Sequence, residues 1–152
     1  MKIYLAGPLF TQAEQEWLCR LKAQILARVP VAPVEVCWPH DLFTEQEIEG
    51  WGDRAKQEIF DRCREHLDAS NAVVALLDGT QVDDGTAWEI GYFFARRRPG
   101  QPILGIRTDF RKAGDTENAR VNLMIDCACD IIVTSVDDLF REIGKLLKKI
   151  PG

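Results

Sequence analysis

An apolar run, Ala72-Val-Val-Ala-Leu-Leu77, passes directly into Asp78-Gly-Thr-Gln-Val-Asp-Asp-Gly-Thr-Ala-Trp-Glu-Ile-Gly-Tyr92, and this junction constrains the fold more than any other stretch. A short apolar run without polar alternation reads as a strand buried on both faces, as in a parallel sheet. The segment after it opens into a helix through Tyr92-Phe-Phe-Ala95. Asp78, Gly79, Asp83, Asp84 and Gly85 therefore sit where a strand ends and a helix begins, which is the ligand edge of an open α/β sheet.

The rest of the chain alternates in the same way. Residues 3–6 read as a short strand stopped by Gly7-Pro8. From residue 12 to 29, Trp17, Leu18, Leu21, Ile25 and Leu26 recur at helical spacing. Residues 34–38 form a second strand ended by Pro39, and 45–69 a helical segment interrupted near Gly50 and Gly52. Residues 102–107 are the fourth strand, 108–120 a polar loop, 121–129 a short helix and 130–135 the fifth strand. A closing helix over 136–149 places Leu139, Phe140, Ile143, Leu146 and Leu147 on one face.

Such alternation demands right-handed crossovers between parallel strands. The expectation is a flavodoxin-like α/β fold: a doubly wound five-stranded parallel sheet, order 2-1-3-4-5. At 152 residues and 46% hydrophobic the chain fills one core and not two, so residues 1–152 are read as a single domain. The switch point then lies between strands one and three, where Tyr4, Gly7, Asp78, Asp83 and Glu89 converge.

Charge and composition exclude several classes. With a net charge of -5, the basic residues are scattered except for Arg96-Arg97-Arg98, which falls at a helix C-terminus where cations complement the dipole. No basic stripe is left for a nucleic-acid backbone. No apolar run approaches the ~18 residues of a membrane span, and Met1 to Ala6 is too short for a secretion signal, which points to a cytoplasmic protein. Cys19, Cys37, Cys63, Cys127 and Cys129 lack CxxC spacing and read as reduced thiols rather than disulfides or a zinc site. The reading calls for no metal and no cofactor.

Carboxylates at a strand–helix junction suit sugar chemistry, with Glu89 attacking an anomeric carbon and Asp83 gripping hydroxyls or moving a proton. The helix N-terminus would help keep Glu89 ionised. A second reading stands beside it: Thr86-Ala-Trp-Glu89 fits a capping box, in which Thr86 caps the helix and Glu89 reaches back to the Thr86 amide. Tyr4 likewise fits a core tyrosine, Gly7-Pro8 a turn, and Asp78-Gly79 a turn pair.

Together the segments Tyr4-Leu-Ala-Gly-Pro-Leu-Phe10, Ser70-Asn-Ala-Val-Val-Ala-Leu-Leu-Asp-Gly79, Asp83-x-Gly85-Thr-Ala-x-Glu89-x-Gly91-Tyr92 and Asn122-Leu-Met124 resemble the nucleoside 2-deoxyribosyltransferases, in the same order. The resemblance implies the flavodoxin-like fold and transfer of a 2-deoxyribosyl group between nucleobases through a glycosyl-enzyme intermediate. It makes Glu89 the nucleophile, Tyr4 the residue that positions it and Asp83 the carboxylate that holds the sugar 5′-hydroxyl. Gly7, Pro8, Asp78 and Gly85 lie in the matched motifs and are assigned to substrate binding. Asn122 and Met124 match residues that family members lend to a neighbouring subunit, so the resemblance implies a homo-oligomer with shared sites. Within the chain, Leu123 is expected to anchor inward while Asn122 and Met124 face outward.

One position departs from the pattern. Many members carry a carboxylate that protonates the departing base eight residues before the Asp of a Ser-Asp pair; here the pair is Ser70-Asn71 and the counted position is Cys63. A thiol with an ordinary pKa of about 8.5 is a weak acid for this task. Asp61 or Glu65 would replace it only if the helix were turned by about 200°. Two other readings follow on the same scaffold: an N-glycoside hydrolase of nucleoside 5′-monophosphates, and a non-catalytic nucleoside- or nucleotide-binding module. Asp83 separates transferase from hydrolase, because a carboxylate beside the 5′ position repels a phosphate.

Overall fold

Strands β1 (Lys2–Ala6), β2 (Glu35–Cys37), β3 (Ala72–Leu76), β4 (Ile103–Ile106) and β5 (Ile131–Val133) form one all-parallel sheet in the order β2-β1-β3-β4-β5, as the alternation requires. The structure, a computed structural model, describes residues 1–28 and 34–147. The expected helix ends at Val29 and Lys149 lie outside the described residues.

Helices α1 (Gln12–Arg28), α2 (Glu45–Trp51), α3 (Ala55–Asp68), α4 (Asp84–Arg96), α5 (Leu123–Ala128) and α6 (Val136–Leu147) connect and cover the strands. Alternation along the strands sorts the core into two layers. Ile3, Leu5, Val74, Leu76, Leu104 and Ile106 face Leu18, Leu21 and Ile25 of α1 and Leu139 and Ile143 of α6. Tyr4, Ala6, Val73, Ala75 and Ile103 face Leu67 of α3, Ile90 and Phe93 of α4 and Ile125 of α5. β3 is buried at every residue, which accounts for its unbroken apolar run.

The expected interruption of the 45–69 segment has a local cause. Thr44 and Glu47 form a capping box that starts α2, with the Thr44 amide donating to Glu47 Oε2 at 2.9 Å. Gly52 then takes a φ of 52°, which glycine alone adopts cheaply, and a single 3-10 turn over Gly52–Arg54 redirects the chain into α3. α3 delivers Cys63 toward the sheet. The register of β1 on β3, Tyr4 opposite Val73 and Ala6 opposite Ala75, brings the β1 and β3 termini side by side under α4.

Candidate active site

The centre of the site is a largely buried pair. Tyr4 is fully buried, and its hydroxyl donates to Glu89 Oε1 at 2.5 Å, the short distance of an O–H bond to a carboxylate. Glu89 reaches the sheet because it lies beside the inward stripe of α4, whose buried members are Thr86, Ile90 and Phe93. Burial removes the carboxylate from water and pushes its pKa from 4.5 up to about 7; the nearby charge of Asp83 adds to the rise and the Tyr4 hydrogen bond opposes it. Desolvation thus outweighs the helix dipole, which was expected to keep Glu89 ionised.

The capping-box reading of Thr86 and Glu89 does not hold. The N-cap of α4 is Asp83, whose Oδ2 accepts the Thr86 amide at 2.9 Å and the Thr86 hydroxyl at 3.0 Å. The helix therefore begins before Thr86, and Glu89 sits in its second turn, out of reach of the cap. Asp83 Oδ1 accepts no hydrogen bond among the described residues. Gly85 bears on this carboxylate, since a Cβ there would stand 3.3 Å from Asp83 Oδ2.

Cys63 joins the pair. Its thiol is pushed up to about 11 by burial and by the Glu89 charge, against a lowering hydrogen bond from Tyr4. The register count from Ser70-Asn71 thus lands on a residue at the centre. Asp61 is not a substitute: Gln57 at 2.8 Å and Arg64 at 3.2 Å occupy its carboxylate and hold it below the usual range. Glu65 is exposed.

The remaining expected positions divide. Gly7 and Pro8 are buried at the end of β1, and a Cβ on Gly7 would meet Leu18 at 3.0 Å and Leu76 at 3.2 Å, so packing already demands the glycine. Asp78 accepts the Thr108 amide at 2.6 Å, the Asp109 amide at 2.9 Å and the Thr108 hydroxyl, so both its oxygens serve the neighbouring loop. Asn122 caps α5: its Oδ1 accepts the Met124 amide at 2.9 Å and its Nδ2 donates to Asp115 at 2.7 Å. No hydrogen bond among the described residues joins Asn122 to Tyr4, Asp83 or Glu89. Met124 is 71% exposed, as expected, but Leu123 is 45% exposed and does not anchor inward. Val121, just ahead of the cap, and Ile125 within α5 are buried instead.

Sequence reasoning missed Arg107. This side chain lies at the end of β4, wholly buried, and donates to the carbonyls of Leu77, Gly79 and Arg111. The available signal was an arginine following an apolar strand at the ligand edge. A cleft of about 960 Å³ between Met1, Asn71, Arg97, Asp130 and Glu142 opens elsewhere and shares no residue with the Tyr4–Glu89 centre.

The chain thus joins a doubly wound parallel sheet to a desolvated carboxylate at its switch point, where the carboxyl ends of β1 and β3 meet. The model of the nucleoside 2-deoxyribosyltransferase family matches residues 3–124, and the chain belongs to that family. It is 32% identical over 157 aligned positions to an uncharacterized protein of Ureaplasma parvum serovar 3, covering 98% of each chain. Among solved structures it is similar to a conserved protein from Enterococcus faecalis V583, at TM-score 0.68 and 26% identity over 95% of this chain and 98% of that one. It is also similar to the 2-deoxyribosyltransferase of Bacillus psychrosaccharolyticus, at TM-score 0.69 and 22% identity over 91% and 90% of the two chains. These last two values show a shared fold. Family and fold together support a role in glycosyl transfer.

Proposed function

We propose that the protein transfers a 2-deoxyribosyl group from one nucleobase to another by two displacements at C1′. In the first, a Glu89 carboxylate oxygen attacks C1′, the C1′–N bond breaks, and the base leaves with the bonding electrons and takes up a proton. In the second, a ring nitrogen of the incoming base attacks C1′, loses its proton and releases Glu89, with net retention of configuration. Tyr4 holds Oε1 and leaves Oε2 to attack, while the free Oδ1 of Asp83 accepts the sugar 5′-hydroxyl.

The observation that carries this reading is the buried Glu89 held by Tyr4 at 2.5 Å. A carboxylate stripped of water and fixed by one hydrogen bond is a better nucleophile than a solvated one, and a cap or solubilising residue needs neither feature. Because Glu89 attacks only when ionised, a pKa of about 7 places the acid limb of the rate near neutral pH. Cys63 stands where a proton donor to the base is needed, and as a weak acid it favours bases that leave readily.

The exposed Asn122 and Met124 support a homo-oligomer in which these residues complete a neighbour's site. The five free cysteines support a reducing, cytoplasmic setting, in keeping with salvage of nucleosides and nucleobases. Incubating the protein with a 2′-deoxynucleoside and a second free base tests the proposal. A new nucleoside supports it; free deoxyribose without a new nucleoside means hydrolysis, and unchanged substrates mean the chain only binds.

A further inference from the structure

We infer that Arg107 is a positioning residue for this site: it fixes the loop between β3 and α4, and through that loop it sets Asp83 against the sugar 5′-hydroxyl. The inference rests on the transfer reading above. Arg107 is the most deeply buried charged residue among the described residues, with its side chain 0% exposed. A buried guanidinium is costly, and for stability alone an apolar side chain of similar volume serves as well or better. Its presence needs another reason.

The contacts supply one. Among the described residues Arg107 meets no carboxylate at hydrogen-bond distance; Asp109 is nearest, at 3.9 Å. Its fork goes instead to backbone oxygens: one amino group to Leu77, the other to Gly79 at 3.0 Å and to Arg111 at 3.0 Å. Leu77 and Gly79 bracket Asp78, so the fork grips both sides of the turn where β3 gives way to the ligand loop. The turn answers from its own side, with Asp78 accepting two amides and the hydroxyl of 108–109, and the Gly79 amide donating to Asp109 at 3.2 Å. Gly79, at φ 117°, adopts a backbone form that other residues rarely take, and a Cβ there would stand 2.9 Å from the Gln81 carbonyl.

Two loops leaving adjacent strands are thereby laced together, and one of them runs straight on to Asp83. Asp83 has one oxygen committed to Thr86 and one free, so its grip on a hydroxyl depends on where the loop holds it; an error of a fraction of an ångström weakens such a contact. Tyr4 and Glu89 do not share this dependence, because β1 and the second turn of α4 carry them. Loosening the lacing should therefore harm the hold on the 5′ end of the sugar and spare the nucleophile.

Two variants test this: Arg107→Met, which removes the fork, and Asp78→Asn, which weakens the same lacing from the less buried side. In each, amide hydrogen exchange over residues 78–86 should quicken about tenfold or more while exchange in α1 stays unchanged. Transfer from a 2′-deoxynucleoside should lose about tenfold or more in kcat/KM, carried by KM, the worth of one hydrogen bond to a charged group. Transfer from the matching 2′,5′-dideoxynucleoside, which has no 5′-hydroxyl to hold, should change by less than about twofold, and Arg107→Lys should recover part of the loss by keeping one charged donor group in place of the fork.

Unchanged exchange overturns the proposal, and so does an equal loss on both substrates, which makes Arg107 a general support. If neither variant folds, Arg107 is a folding element and the positioning role falls. If the parent protein transfers from neither substrate, or takes both equally, the reading of Asp83 has failed and the proposal falls with it. The exchange data then still report whether Arg107 holds the loop, so the two failures are distinguishable.

Discussion

Replacing Glu89 with Gln should stabilise the protein, and by an amount that depends on pH. Glu89 has a pKa of about 7 in the folded chain against an ordinary 4.5. Between those values the folded protein keeps a proton that the unfolded chain has released, so stability falls as pH rises through this window and levels off above about 7. At about 1.4 kcal/mol for each tenfold, the full penalty is on the order of 3 kcal/mol, shrinking to about 1 kcal/mol near pH 5. Glutamine copies the neutral acid: Tyr4 can still donate to its Oε1, and its amide removes the repulsion from Asp83. For a domain of this size about 1 kcal/mol moves Tm by roughly 2–4 °C, so Glu89→Gln should melt about 6–12 °C above the parent at about pH 8 and only a few degrees above it near pH 5. Thermal unfolding followed by circular dichroism across that pH range measures the difference. A gain of the same size at every pH would mean improved packing rather than removal of a buried charge. No gain at about pH 8 would refute the desolvation of Glu89 outright.

Tyr4→Phe removes the one hydrogen bond that lowers the Glu89 pKa, so the acid limb of the transfer rate should move up by about one pH unit or more; an unmoved limb would show that another group sets it. Cys63→Asp should raise the transfer rate, most for bases that leave poorly, because a buried carboxyl is a stronger acid than the thiol; steady-state rates over a series of bases would register a uniform loss if the proton came from elsewhere. Mixing inactive Glu89→Ala subunits with inactive Asn122→Ala subunits should restore part of the activity if hybrid sites draw one residue from each chain. Mixed oligomers verified by native mass spectrometry yet no more active than their parents would confine Asn122 to its cap on α5.

The strand order was legible because each strand is an apolar run bounded by Gly, Pro or an acidic turn, and parallel crossovers leave few ways to arrange five of them. Tyr4, Asp83 and Glu89 were legible as a group, but the place of Glu89 in its helix was not, since Thr86 and Glu89 satisfy the spacing of a capping box. The deciding signal lay one turn upstream. Asp83 is itself a cap with Thr86 three residues on, and once the helix starts there, Glu89 falls beside the stripe of Thr86, Ile90 and Phe93. A carboxylate desolvated against the apolar stripe of a helix has its pKa shifted, which makes it a candidate functional group. Leu123 was misjudged because α5 begins right after Asn122 and leaves Leu123 exposed in its first turn, while Val121 ahead of the cap and Ile125 within the helix join the cluster that holds Ile90 and Phe93 of α4. Arg107 was missed for a different reason: the residues it holds are backbone carbonyls, which leave no trace in side-chain identity. Asp78, Thr108 and Asp109, which lace the same two loops, read separately as turn and loop residues until the sheet sets β3 beside β4.

Trapping the intermediate tests the account most directly. With a 2′-deoxynucleoside and no acceptor base, rapid acid quenching and intact-mass measurement should reveal protein heavier by one deoxyribosyl group. Proteolysis should place that mass on the peptide containing Glu89, and it should be missing from folded Glu89→Ala. Transfer that proceeds without any adduct, or with the sugar on another residue, would contradict the assignment of Glu89 as nucleophile.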